Sequence, residues 1–133
     1  MSLKLKSISA TTATLVLTKY DHGATIVFNR AGGTAVTLPA PADGATFNFV
    51  IGTAPTTANT IASSGAANII KGGVNELEVD TADDGPYSAV GDLVSFVANI
   101  AAVGDYVDLR SDGTSWFLRG QTNLDGGITI GST

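Results

Sequence analysis

Cysteine is absent from these 133 residues, so neither a disulfide framework nor a thiolate metal site can hold the fold, and the redox compartment is left open. Stability has to come from packing, and a chain of this length can bury roughly two-thirds of its unfolded surface as a single domain. Charge is also scarce, at 14% of residues against 44% hydrophobic. Even so, no uninterrupted apolar run approaches the roughly 18 residues of a membrane span. The amino-terminal residues lack the continuous apolar segment of a secretory signal, so a soluble protein that is not directed to export is expected. Only one histidine is present, His22, inside the turn Asp21-His22-Gly23, and no serine sits in a GxSxG motif. Catalysis is therefore not expected. No stretch carries a capped 3.6-residue apolar period, which leaves room for at most a short helical turn. Ala31-Gly32-Gly33 lacks the spacing of a phosphate-binding loop and serves as a turn.

The net charge of −5 is unevenly placed. Residues 1–19 hold three of the seven basic side chains, Lys4, Lys6 and Lys19, and no acid, so the remainder sets four basic against twelve acidic groups. An acidic body without a basic patch interleaved with aromatics is a poor partner for phosphate backbones, and no nucleic-acid partner is expected. A surface with so few charges and so much Gly, Ala, Ser and Thr suits a protein covered by neighbouring subunits. An oligomer follows from that.

What the chain does contain is alternation. In Gly91–Gln121, Val94, Phe96, Ala98 and Ile100 alternate with Ser95, Val97 and Asn99, which predicts a strand with one buried face. After the turn at Gly104-Asp105, the strand Tyr106–Arg110 is expected to form a hairpin with Ser115–Arg119 across Asp112-Gly113. Further strands are expected at Leu15–Leu17, Ala24–Asn29, Ala35–Leu38, Thr46–Ile51 and Val74–Val79, and Ile128–Ile130 makes a last short strand or a tail. Phe47, Phe49 and Ile51 share one face and belong to the core. Residues 52–73 read as an elaborated loop, with brief strands at Thr60–Ala62 and Asn68–Ile70 only. The fold class is all-β: a small sandwich or barrel of many short strands with an extended N-terminal arm, residues 1–14, on a single β domain, residues 15–133.

Candidate chemistry is sparse. Asp105, Asp108 and Asp112 are the densest carboxylates around a strand; as a Ca²⁺ site or acid pair they compete with plain turn-capping and solvent-facing roles. Asp80, Asp83 and Asp84 lack the spacing of an EF-hand loop and read as a solvated acidic loop. No metal site, cofactor or small-molecule substrate is expected. Trp116 either covers the edge of the core or offers a stacking platform to a sugar. In the arm, Leu3, Lys4, Leu5, Lys6 and Ile8 join apolar side chains to positive charge. That segment is either a frayed terminus or a strand seeking the edge of another chain's sheet. With so few apolar residues, its removal is expected to leave the body folded.

The segments Thr37-Leu38-Pro39-Ala40-Pro41, Asp43-Gly44 with Thr46–Val50, Gly104–Leu109 and Ser111-Asp112-Gly113-Thr114-Ser115-Trp116 together resemble small virion head proteins of tailed bacteriophages, marine ones in particular. The resemblance runs over residues 20–121. It implies a capsid decoration protein: a non-enzymatic, β-rich homotrimer on the capsid exterior that binds the major capsid protein through its arm and clamps capsomers to stabilise the head. A tail-fibre or receptor-binding tip and a carbohydrate-binding module are the alternatives.

Overall fold

The computed structural model describes residues 6–79 and 87–132. The protein is an all-β sandwich of two mixed sheets. Its strands are β1 (Ser7–Ala10), β2 (Thr14–Val16), β3 (Thr25–Phe28), β4 (Ala35–Thr37), β5 (Thr46–Ile51), β6 (Asn59–Ala62), β7 (Ile70–Glu76), β8 (Tyr87–Gly91), β9 (Leu93–Phe96), β10 (Tyr106–Ser111), β11 (Trp116–Thr122) and β12 (Ile128–Gly131). One sheet has seven strands in the order β1-β3-β5-β10-β11-β7-β8, and the other has five in the order β12-β9-β6-β4-β2. Only short 3₁₀ turns, Lys19–Asp21 and Ser64–Ala66, interrupt the β structure among the described residues.

The first six strands follow one rule: each crosses to the opposite sheet. β1, β3 and β5 therefore stack in parallel in one sheet and β2, β4 and β6 in the other, as three turns of a flattened coil. Equivalent positions run Ser7, Thr25, Asn48 on one side and Thr14, Ala35, Thr60 on the other. Antiparallel pairs then extend this coil, β10 on β5, β11 on β10, β9 on β6 and β12 on β9, while β7 adds to β11 in parallel and β8 to β7 antiparallel. At Asp92 the chain leaves β8 in one sheet for β9 in the other, and the Asp92 N–H donates to the Gly131 carbonyl at 2.9 Å. Gly91 stands at that crossing because an added Cβ would overlap the Gly131 carbonyl oxygen.

Between the sheets lies a single apolar cluster. Phe28 and Phe49 stack within the larger sheet at 5.9 Å, and Phe28 meets Phe96 of the smaller sheet at 5.4 Å. Phe47 packs on Trp116 at 5.7 Å. Each such ring contributes roughly 2–3 kcal/mol by leaving water, cohesion that smaller extracellular domains commonly take from disulfides.

Several expectations change. The strand read through Ile100 ends at Phe96; the chain turns there, with the N–H groups of Ile100 and Ala101 both donating to the Val97 carbonyl and Asn99 at a φ of 62°. Residues 52–73 carry β6 and the start of β7, a full part of both sheets. The largest correction concerns the arm. Residue 14 is no boundary, because Ser7–Ala10 pairs in parallel with β3 and Thr14–Val16 with β4. Ala10 is buried, and Ile8 and Leu15 pack against the core. The small residues of Ser9–Thr14 make a strand, a turn and the start of another strand.

Removal of residues 2–14 should consequently destabilise the protein instead of leaving the body intact. It strips Ile8 and Ala10 from the core and uncovers the edge of β3, a loss of about 3 kcal/mol or more. Urea denaturation checks this; an unchanged midpoint would mean that β1 adds nothing to the fold.

Candidate functional site

Of the arm residues, Leu3, Lys4 and Leu5 lie outside the described residues. Lys6 is engaged within its own chain: its Nζ is 2.7 Å from Asp21 Oδ1 and donates to the Tyr20 carbonyl at 3.0 Å. Asp21 in turn accepts from the Thr18 N–H at 2.9 Å, while Thr18 Oγ1 accepts from the Tyr20 N–H, a reciprocal cap on the 3₁₀ turn. The hydrogen bond from Lys6, and then that from the Thr18 backbone, hold the Asp21 carboxyl below the usual carboxylate range. Ile8 points into the molecule. Neither Lys6 nor Ile8 is thus free to meet a partner as a flexible arm would, and the contacts belong to the anchoring of β1.

The three strand aspartates do not converge. Asp105 is buried and fully served: the Ala102 N–H at 2.9 Å, the Thr122 hydroxyl at 2.8 Å and the Asn123 N–H at 3.1 Å all donate to it. It locks the start of β10 to the end of β11. Asp112 is exposed and accepts from the N–H groups of Thr114 and Ser115, bonds that lower its pKa, the Ser115 bond most. Asp108 stands on the outer face of the large sheet. Among the described residues no group of three His, Cys, Asp or Glu side chains is placed to hold a metal ion; Asp80, Asp83 and Asp84 fall outside them. His22 has the turn role read from the sequence, its Nδ1 accepting from the Thr46 N–H at 3.2 Å. Trp116 has no exposed surface and packs on Phe47, so it is core and offers no platform to a sugar.

The surface with the most chemistry is that outer face of the large sheet, which the sequence reading passed over. Alternation buries Val107, Leu109, Trp116 and Leu118 and turns Tyr106, Asp108, Arg110, Phe117, Arg119 and Gln121 outward. The register aligns them in three rows: Tyr106 with Gln121 and Asn75, Asp108 with Arg119 and Gly73, Arg110 with Phe117 and Lys71. Two hollows flank Arg119, of about 540 Å³ on the Tyr106 side and about 440 Å³ on the Phe117 side. On β7 the outward position opposite Arg119 is Gly73, which adds no side chain to this face. Gly72 can be nothing larger: its φ is 155°, and a Cβ would overlap the Leu118 carbonyl oxygen. Arg119 donates to that same carbonyl at 2.9 Å rather than pairing with Asp108. Burial raises the Asp108 pKa, and the nearby Arg110 charge offsets part of the rise. A signal for this face was present in the sequence: Lys71, Arg110 and Arg119 are three of the four basic residues beyond residue 19.

No protein-family model matches the chain, and no curated protein does. Among the described residues no helix is long and apolar enough to cross a membrane.

The Lys6–Asp21 tie has a pH signature. Folding lowers the Asp21 pKa from 3.8, so its stabilising effect is present above that value and disappears as pH falls through the lower, folded value. Asp21→Asn should therefore cost about 1 kcal/mol at neutral pH, and the gap to wild type should close below about pH 4. Melting curves across pH 2–7 check it; a gap constant with pH would show that the carboxylate charge is irrelevant to the tie.

Proposed function

We propose that this chain is a non-enzymatic virion protein, a capsid decoration protein that binds the major capsid protein on the exterior of a bacteriophage head and clamps neighbouring capsomers as a homotrimer. The observation that carries the reading is the unpaired end of the coil. β1 and β2 are outer strands of the two sheets, and no strand among the described residues pairs with their free edges. The bonds Thr25 N–H to the Lys6 carbonyl and Asn29 N–H to the Ala10 carbonyl turn alternate groups of β1 inward, leaving the backbone of Ser7 and Ser9 facing out. In β2 the same alternation, set by Ala13 and Leu17, leaves Val16 outward. Val16 and Tyr20 are 70% and 80% exposed beside this end.

Two short edges that lie together suit strand addition from another chain, in which backbone hydrogen bonds supply affinity and flanking apolar side chains supply specificity. In the sequence Leu3, Lys4 and Leu5 precede β1, and the Lys4 charge favours an acidic partner. The contact proposed is therefore the first turn of the coil. The motif resemblance to phage head proteins and the low charge of the chain support the same reading.

Cosedimentation tests it. The protein should saturate expanded capsids built from the major capsid protein of its own phage, and light scattering should give the mass of three chains on the shell or in solution. Val16→Asp with Tyr20→Asp should weaken capsid binding at least tenfold without changing the circular-dichroism spectrum. Bare capsids at saturating protein would overturn the proposal.

A further inference from the structure

We propose that the outer face of the seven-stranded sheet is a binding site for a carboxylated saccharide, seated in the hollows either side of Arg119 between Tyr106 and Phe117. The site is separate from the coil end described above, since β10, β11 and β7 lie in the far part of the sheet order from β1.

Same-face residues on a strand repeat every ~6.8 Å, so Tyr106 and Phe117, two rows apart, stand roughly 14 Å apart along the strands, with the Asp108–Arg119–Gly73 row between them. The two hollows fall in the range of ordinary ligand sites. Their walls are half-exposed aromatic rings, Tyr106 at 37% and Phe117 at 46%. Such rings stack on the C–H faces of a sugar while the Tyr hydroxyl stays wet.

The polar groups then select the ligand. No hydrogen bond or ion pair reaches Asp108 among the described residues, although Arg119 is its direct cross-strand partner. Asp108 lines both hollows with its acceptor oxygens unused by the described protein groups, and the vicinal hydroxyls of a sugar ring can supply two O–H donors to them. Lys71, Arg110 and Arg119 surround it, so the face is positive on a protein whose net charge is −5. Arginine forks match a carboxylate with two parallel hydrogen bonds. Hydroxyl donors to Asp108, a carboxylate for the arginines and apolar ring faces for Tyr106 and Phe117 coincide in an acidic sugar. A nucleic acid fits less well, because Asp108 sits in the middle of the cations and three positive charges neutralise few phosphates. Cleavage of the sugar is not implied: glycosidases need a second carboxyl about 5–9.5 Å from the first, and Asp112, at the rim, is committed to the N–H groups of Thr114 and Ser115.

A glycan array of neutral, carboxylated and sulfated glycans, probed with the full chain, tests this without any capsid. Carboxylated glycans should be retained and their neutral counterparts at least tenfold less. Arg119→Ala and Phe117→Ala should each weaken retention at least tenfold, and Asp108→Asn several-fold, with melting curves unchanged because all three side chains are on the solvent face. Retention of no glycan, retention that tracks charge density regardless of the anion, or retention unaltered in Arg119→Ala would each overturn the proposal. Footprinting that shows Tyr106 and Phe117 covered by capsid protein or by a second copy, with no glycan bound, would reassign the face to protein docking.

Discussion

A strand with one apolar face is stable only while that face is covered, and in a chain without cysteine nothing else can hold the layers together. The first half of this protein meets the constraint by sending each successive strand to the opposite sheet, so that every half-turn of chain brings its own cover. Phe28 shows the result: it stacks on Phe49 in its own sheet and reaches Phe96 in the facing one. The second half depends on the same layer, with Trp116 of β11 filling the space beside Phe47. Asp105 is one of the polar exceptions inside. Burial of a carboxylate is tolerable there because three donors converge on it, from the β9–β10 connection, the last residue of β11 and the residue after it.

Strands were the legible part of the sequence. Thr46–Ile51 and the β10–β11 hairpin stand where alternation and the turn at Asp112-Gly113 put them, because both signals are local. The coil was hidden, since its pairings are parallel and join residues some twenty positions apart at unequal spacing, from residue 7 to 25 to 48. Alternation misled at Val97–Ile100, where the apolar pattern continues but the backbone turns at Asn99. It misled in the other direction at Ser9–Thr14, where residues too small to signal a core include the buried Ala10. The sheet-face residues went unseen for a related reason: polar positions on an alternating strand read as solvent contacts, and only the register shows that Asp108, Arg119 and Gly73 share a row.

The two proposed surfaces differ in physics as well as place. At the proposed coil end, backbone groups of short edge strands and the side chains of Val16 and Tyr20 would meet another polypeptide. On the sheet face, fixed side chains and a glycine notch form hollows whose charges oppose that of the rest of the chain. A decoration protein anchored at its first coil would keep the sheet face available to solvent, so the two activities need not compete.

The most direct measurement is an electron cryo-microscopy reconstruction of the phage virion that this chain is proposed to decorate. The account predicts a three-fold cluster of twelve-stranded sandwiches on the outer surface of the head, with β1 and β2 against the capsid protein and β10 and β11 away from it. Sandwich density confined to a tail fibre, or a head surface without it, would contradict the account.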